Sequence, residues 1–323
     1  MAFTTKDEYR KAWDEAYTTD PRVPLNLDLE LASLCRLRCP FCFWGDEKYQ
    51  ESMRSADYDG GPMKRFMDVD LATRLIDEAA ALGIPAIKFH GRGDGIHHPN
   101  YSRIIRYARE KGAFLDLLVN THGHATEDKL DGLMCADKVM ISLDSTEPER
   151  YARMRVGGDM KNVLWTVGEL IKRGHKNVWV RRVITAENKG EDFVGRCAAM
   201  WGASVRVSEH FAFPGRNEEY TDAAMSPATW KRTYCGYPST RIMVTASGLA
   251  LPCCVDWRQE MVVGNVHKQS LGEIWAGEPL ADLRANLRAG VLKSSACRSC
   301  TSFQAYARPE RQFVQDVEGR ASI

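Results

Sequence analysis

Short apolar runs recur along the chain between Leu25 and His210: "LNLDLEL" (25–31), "AIKFH" (86–90), "FLDLLVN" (114–120), "KVMISLD" (138–144), "VWVRRVI" (178–184) and "SVRVSEH" (204–210). Their length and β-branched content predict strands. Between them lie longer stretches with helical spacing, among them "DLATRLIDEAAALG" (70–83), "NYSRIIRYAREKG" (100–112) and "MKNVLWTVGELIKRG" (160–174), each ending in glycine, the common C-terminal stop. Tyr9, Trp13 and Tyr17 fall at i, i+4 and i+8 and predict an N-terminal helix with an aromatic seam. Repeated strand–helix units imply parallel strands joined by right-handed crossovers. Six strands are too few for a closed eight-fold barrel, so the expected fold class is α/β, an open or partial (β/α)6 barrel. Ligands of such folds sit at the carboxyl ends of the strands.

The pattern changes after His210. Residues 211–234 are polar, with Pro-Gly near the start, and predict a linker. "RIMVTASGLALPC" then predicts a hairpin turning at Ser247-Gly248, followed by a helical stretch and "CRSC". The expected division is an N-terminal helix (1–24), the barrel (25–210), the linker (211–234) and a small cysteine-rich domain (235–323).

Composition narrows the function classes. With 44% hydrophobic residues, 323 residues can bury a sizeable core. The net charge of +1 gives no global basic field for a nucleic-acid partner. No apolar run reaches membrane-spanning length and no signal peptide is evident, so no membrane partner and a cytoplasmic location are expected. Ten cysteines are many for that compartment, where disulfides seldom persist, and clustered thiols then point to metal ligation. Cys135 and Cys197 stand alone in helical, apolar surroundings and read as buried structural thiols. The remaining eight form two groups.

The first group, "CRLRCPFCF", sets Cys35, Cys39 and Cys42 on one loop directly after the first strand, with no fourth thiol nearby. Three thiolates on an iron–sulfur cubane leave one iron without a protein ligand, and an open metal position is where chemistry occurs. "CRLRCPFC" resembles the CxxxCxφC motif of radical S-adenosylmethionine (SAM) enzymes, with Phe41 as the aromatic before the last cysteine. The resemblance implies that the methionine end of SAM occupies the fourth iron. Cleavage of SAM then gives a 5′-deoxyadenosyl radical that abstracts hydrogen from substrate. "FHGRGDGIHHP" (89–99) is similar to the family segment that holds the SAM amino group, which makes Gly93 and Asp94 candidates. The family's usual acid is Glu followed by Pro; here Asp94 precedes Gly95. "NTHG" (120–123) and "ISLDS" (141–145) resemble strand ends near the ribose and methionine, which adds Asn120, Ser142 and Asp144. Taken singly, each of these polar strand ends reads as ordinary loop capping; found together, in order and at strand ends, they read as a site.

The second group has a CX12GX4C element, Cys235 to Cys253, followed by the pair Cys297 and Cys300. Four thiolates close a cluster's coordination shell, or equally a zinc knuckle. The arrangement resembles the SPASM/twitch extension of radical SAM enzymes in its shorter, single-cluster form. It implies two [4Fe–4S] clusters in all, with SAM as cosubstrate and a flavodoxin or ferredoxin as reductant. The substrate expected is a small polar molecule such as a sugar or aminocyclitol, because few residues precede Cys35. The auxiliary cluster would accept the electron when a carbon radical beside a hydroxyl becomes a ketone. Arg216 is a candidate substrate contact or a surface arginine. Cys254 is a spare thiol or a hydrogen donor, the latter making the chain an epimerase. Peptide modification is the further alternative. Arg181, Arg182, Arg206, Glu209 and His210 either line a pocket or form ion pairs outside the barrel.

Overall fold

Alternation along each strand carries its apolar residues to one face, and helices cover that face. The computed structural model describes residues 3–16, 19–47, 51, 66–211, 235–298 and 300. Among the described residues, five strand–helix units follow one another and a sixth strand completes them. The strands are β1 (Asn26–Leu29), β2 (Ala86–Phe89), β3 (Asp116–Thr121), β4 (Lys138–Ser142), β5 (Val178–Ile184) and β6 (Val205–Phe211). The helices begin with α1 (Lys6–Glu15) ahead of β1 and continue with α2 (Val69–Leu82), α3 (Tyr101–Glu110), α4 (Glu127–Met134), α5 (Pro148–Met154), α6 (Met160–Lys172) and α7 (Phe193–Trp201). All six strands run parallel, in the order β6-β5-β4-β3-β2-β1. Each predicted strand is present to within two residues at either end. Gly83 caps α2 in the left-handed conformation (φ 73°), the conformation glycine adopts without a Cβ clash.

The helix-facing strand residues form one core. Leu27, Leu29, Ile87, Val119, Val139, Ile141, Val180 and Val207 pack with Leu75, Ile104, Val163 and Val167. Each such side chain, fully buried, contributes roughly 1.5–3 kcal/mol. The opposite face is polar. Register places Asp28, Lys88, Asn120, Ser142, Arg181 and Ser208 there, on β1 to β6 in turn. Along β3 and β4 buried residues alternate strictly with partly exposed ones, and the partly exposed ones lie on this face, the lumen of the partial barrel. Helix α1 closes the opposite end of the barrel. Tyr9 and Ala16 pack on Leu25, Ala86 and Leu115 at the starts of the first three strands, and Lys6 pairs with Asp116 at 3.2 Å. Tyr17, the third residue of the expected aromatic seam, lies outside the described residues.

The C-terminal segment contributes α8 (Tyr237–Thr240), β7 (Arg241–Val244), β8 (Leu249–Leu251), β9 (Gly264–Asn265), α9 (Leu271–Ala276), α10 (Glu278–Arg288) and α11 (Ser295–Arg298). The hairpin turns where expected, at Ser247-Gly248, with Gly248 at φ 89°. One sheet runs through barrel and extension, because β7 pairs in parallel with β1 and covers the edge that an unclosed barrel leaves open. A buried ion pair reinforces this seam. Glu30, just after β1, accepts from Arg92 Nη2 at 2.7 Å and from the Ala246 backbone N–H at 3.1 Å.

Candidate active site and thiol clusters

The cysteine loop leaves the carboxyl end of β1 and folds tightly on itself. The Cys42 N–H donates to the Cys39 carbonyl at 3.0 Å and the Gly45 N–H to the Cys42 carbonyl at 2.9 Å. Two side chains anchor the Cys35 carbonyl: Trp44 Nε1 at 2.6 Å and Arg38 Nη1 at 2.9 Å. Gly45 is required by contact, since a Cβ there would sit 2.3 Å from the Cys39 carbonyl oxygen. Gly93 is required in the same way: its Cβ would meet Leu34 backbone atoms at 2.3 and 2.5 Å. This predicted site residue therefore brings the loop after β2 against the backbone of the cysteine loop.

Asp94 is buried, and its carboxylate is engaged within the protein. It accepts from Thr121 Oγ1 at 3.0 Å and from the N–H groups of His122 (2.5 Å) and Ile96 (3.1 Å). Burial opposes its ionisation, but His122 and these hydrogen bonds outweigh it and hold the pKa below the usual carboxylate range. Asp94 thus ties the loop after β2 to the end of β3. Close by, His122 Nε2 lies 3.0 Å from His97 Nε2, and both imidazoles approach Cys35 closely enough that the three donor atoms lie within 4.8 Å of one another.

Asp144 follows β4 with φ 63°, a left-handed conformation that strains a residue bearing a Cβ. Its carboxylate accepts from the Val183 N–H at 2.6 Å and from Arg155 Nε. Arg155 then reaches the thiol loop, with Nη1 3.7 Å from Cys39 Sγ and the guanidinium 5.5 Å from the Phe41 ring centroid. Burial pushes the Cys39 thiol up to about 11 although Arg155 pulls it down, so deprotonation here calls for a stronger cation such as a metal. The sequence reading missed Arg155. Its signal was the arginine of "YARMRVGG", one helix beyond "ISLDS".

The lumen-facing candidates separate from these. The Asn120 amide oxygen, turned toward the lumen cations, accepts from Lys88 Nζ at 3.3 Å and Arg181 Nη1 at 3.2 Å. Ser142 stands beside Arg181 in register. Asp28 is fully buried. It pairs with His90 at 3.0 Å and Arg241 at 3.5 Å, and Asn26 also donates to it. The late-strand charges divide by face: Arg181 and Arg206 point to the lumen side, whereas Arg182 binds Glu209 and the carbonyls of Asn188 (3.1 Å) and Glu191 (3.0 Å) on the helix side. Arg216 lies outside the described residues.

The second group of thiols converges. Cys235, Cys253, Cys297 and Cys300 line a single cavity whose other walls are chiefly apolar: Tyr237, Pro238, Pro252, Val255, Met261, Leu283, Leu287 and Ala296. Cys254 does not line this cavity. Its thiol is hydrogen-bonded to that of Cys253 and lies within electrostatic reach of His90, Asp28, Arg241 and Lys88 in the lumen. Cys197 is buried in the core and Cys135 packs against it, as lone structural thiols do.

The donor sets fit iron–sulfur groups: soft thiolates alone, three on an open polar loop and four around a closed apolar pocket. With a parallel partial barrel, they define a SAM-cleaving enzyme that uses iron–sulfur chemistry. Comparison with known proteins agrees. Residues 29–195 match the Radical SAM superfamily, and residues 235–301 match SPASM, the iron–sulfur cluster-binding domain. The chain belongs to the radical SAM superfamily and carries a C-terminal SPASM/twitch-type region. The PqqA peptide cyclase of Methylobacterium sp. (strain 4-46) is 26% identical over 88% of this chain and 80% of its own length. The S-adenosyl-L-methionine-dependent 2-deoxy-scyllo-inosamine dehydrogenase of Niallia circulans is 32% identical, but over only 25% of this chain and 32% of that protein. Among solved structures, BtrN in complex with AdoMet and 2-DOIA superimposes with a TM-score of 0.57 at 21% identity, covering 87% of this chain and 94% of BtrN. SuiB of Streptococcus suis bound to S-adenosylmethionine gives 0.66 at 12% identity, covering 91% and 77%. No described helix is long and apolar enough to cross a membrane.

Proposed function

We propose that this enzyme abstracts a hydrogen atom from a substrate carbon held at the lumen mouth and returns one from Cys254, inverting that carbon. The observation that supports this reading is a pair of adjacent, hydrogen-bonded cysteines, with Cys253 on the four-thiol cavity and Cys254 outside it and within electrostatic reach of the lumen charges. Two [4Fe–4S] clusters, one held by Cys35, Cys39 and Cys42 and one by Cys235, Cys253, Cys297 and Cys300, would supply electrons for SAM cleavage and for restoring the lumen thiol. When Cys253 is a thiolate ligand it accepts rather than donates, so its hydrogen bond with Cys254 is donated by the Cys254 S–H. The substrate radical takes that hydrogen atom. The sulfur radical left behind regains S–H from one electron, drawn from a flavodoxin- or ferredoxin-type reductant, and one proton, for which His90 is placed. Phe41, Asp144 and Arg155 orient the SAM end of the site through the thiol loop, and Gly93 and Asp94 hold the loop beside it. The PqqA peptide cyclase relative supports a peptide as the substrate.

The second reading is oxidation of a small polyol, with the four-thiol centre as electron acceptor. The short match to the inosamine dehydrogenase favours it. An isotopic experiment separates the two. Candidate peptides and polyols are screened in D2O for release of 5′-deoxyadenosine, and each product is weighed. A Cys254 donor leaves one deuterium on the product, and Cys254→Ala keeps 5′-deoxyadenosine formation but loses that deuterium. A product lighter by two hydrogens, formed equally by Cys254→Ala, establishes oxidation and removes the donor role.

A further inference from the structure

One turn of the C-terminal segment touches both thiol sites. It runs from Cys253 to Met261, and its base belongs to the four-thiol cavity, which Cys253, Val255, Asp256 and Met261 help to line. Hydrogen bonds hold the turn to itself. The Val255 N–H donates to Cys253 Sγ at 3.3 Å, and the buried Asp256 carboxylate accepts from the N–H groups of Glu260 (2.9 Å) and Met261 (2.8 Å). Glu260 ties the turn to the chain before Cys297, accepting from Ser294 Oγ at 3.1 Å and from the Ser295 N–H at 2.8 Å. Within it Gln259 takes φ 57°, a left-handed strain that persists only where the surroundings over-determine the backbone. The tip of the turn reaches the other site. Trp257 stacks on Phe43, the residue after Cys42, with ring centroids 5.2 Å apart and planes within 3° of parallel. The Arg258 guanidinium lies 4.6 Å from the same indole. Trp44, Leu34, Cys35 and Cys42 complete the apolar patch around this stack.

We propose that Trp257 is a positioning residue for SAM cleavage: by stacking on Phe43 it sets, from the extension, the pose of the loop that carries Cys39 and Cys42. The loop's own hydrogen bonds, from Cys42 to Cys39 and from Gly45 to Cys42, fix its shape. Trp44 and Arg38 anchor its start, at the Cys35 carbonyl. Its far end, at Phe43, meets the rigid turn of the extension. An offset-parallel aromatic pair is worth about two- to tenfold in an equilibrium that depends on it. Coupling between sites is reciprocal, so SAM at the open site should in turn steady residues 255–261. The proposal goes beyond the choice between inversion and oxidation, because it concerns how SAM is held before either begins.

The test uses the full chain after anaerobic reconstitution, with iron counted first. Trp257→Ala should keep about eight irons and bind SAM about fivefold more weakly by equilibrium dialysis. It should also change the EPR signal that the reduced protein gives when SAM is added. Trp257→Phe, which keeps a ring to stack, should restore both. Leu283→Ala, at a cavity residue outside the turn, should leave SAM affinity unchanged. Amide hydrogen exchange gives a reading into which no activity enters. SAM should slow exchange at residues 255–261 in the wild type and in Trp257→Phe, but not in Trp257→Ala. Should Trp257→Ala lose the four-thiol iron, Phe43→Leu removes the stack from its other side and should weaken SAM binding by the same factor. The proposal is overturned if Trp257→Ala with eight irons binds SAM as the wild type does, or if Trp257→Phe is as impaired as Trp257→Ala. It is equally overturned if Phe43→Leu binds SAM normally, or if SAM leaves exchange in the wild-type turn unaltered. Failure of the hydrogen-donor reading would show separately, in the deuterium content of the product, with SAM affinity and exchange unmoved.

Discussion

The two thiol sites differ in surroundings more than in ligands. The loop bearing Cys35, Cys39 and Cys42 is ringed by polar groups: Arg155 on Cys39, His97 and His122 near Cys35, and Asp94 and Asp144 behind them. The cavity shared by Cys235, Cys253, Cys297 and Cys300 is walled by proline, leucine, valine and methionine. A site that must admit a charged cosubstrate needs polar groups to receive it, whereas a site that only holds and passes electrons gains from exclusion of water. Three thiols with polar neighbours and four with apolar ones are thus two solutions to different tasks, and each can be broken separately.

The largest effect should come from the open site. Replacing Cys35, Cys39 and Cys42 together by alanine should abolish 5′-deoxyadenosine formation and lower iron from about eight to about four per chain after anaerobic reconstitution. Cys297→Ser should cause the same loss of iron, yet leave SAM cleavage substantially in place. If it abolished cleavage too, the division of labour between the sites would fail.

A smaller effect tests the polar ring. Arg155→Met leaves Asp144 buried beside its cut-off partner and should destabilise the chain by roughly 3–5 kcal/mol, read from urea unfolding, while SAM binding weakens. An equivalent Leu283→Ala at the apolar site should cost less, about 2 kcal/mol, and leave SAM binding unchanged.

pH probes the lumen charge between the two sites. Burial works against the Asp28 carboxylate, but His90 and then Arg241 outweigh it and bring its pKa down to about 2. A carboxyl with a lowered folded-state pKa stabilises the fold above its unfolded value, near 4, and loses that contribution as pH falls from about 4 toward about 2. The urea midpoint of the iron-free wild type should therefore converge on that of Asp28→Asn across this window, a change on the order of 2 kcal/mol. The smallest effect belongs to neither site. Ser270→Ala removes the capping box of α9 and should cost about 1 kcal/mol with no change in iron content.

Much of the barrel was legible because its signals are local. Period-two strands, helical spacing and terminal glycines are written within a dozen residues, and so is the three-thiol loop. The four-thiol set was legible from spacing, although its members are separated by more than sixty residues. What escaped the sequence is pairing at long range. Nothing near Glu30 announces Arg92, nothing near Asp28 announces His90, and the junction of β7 with β1 joins segments more than two hundred residues apart. Single charged residues in strands carry no spacing signal, so only the folded sheet reveals which face they occupy. That is why Arg181 and Arg182, neighbours in sequence, end on opposite sides of the barrel wall.

The Cys253–Cys254 pair carries an evolutionary consequence. A single peptide bond separates the residue that lines the cavity from the residue within electrostatic reach of the lumen charges. Deleting one residue from the short stretch after β8 would move Cys254 into the cavity position and bring Val255 to the place Cys254 now holds. Lineages of this architecture can therefore gain or lose a lumen thiol through one in-frame codon, a far shorter route than building a new loop. On the donor reading of Cys254, length variation at Pro252 is where divergence in reaction outcome would be written.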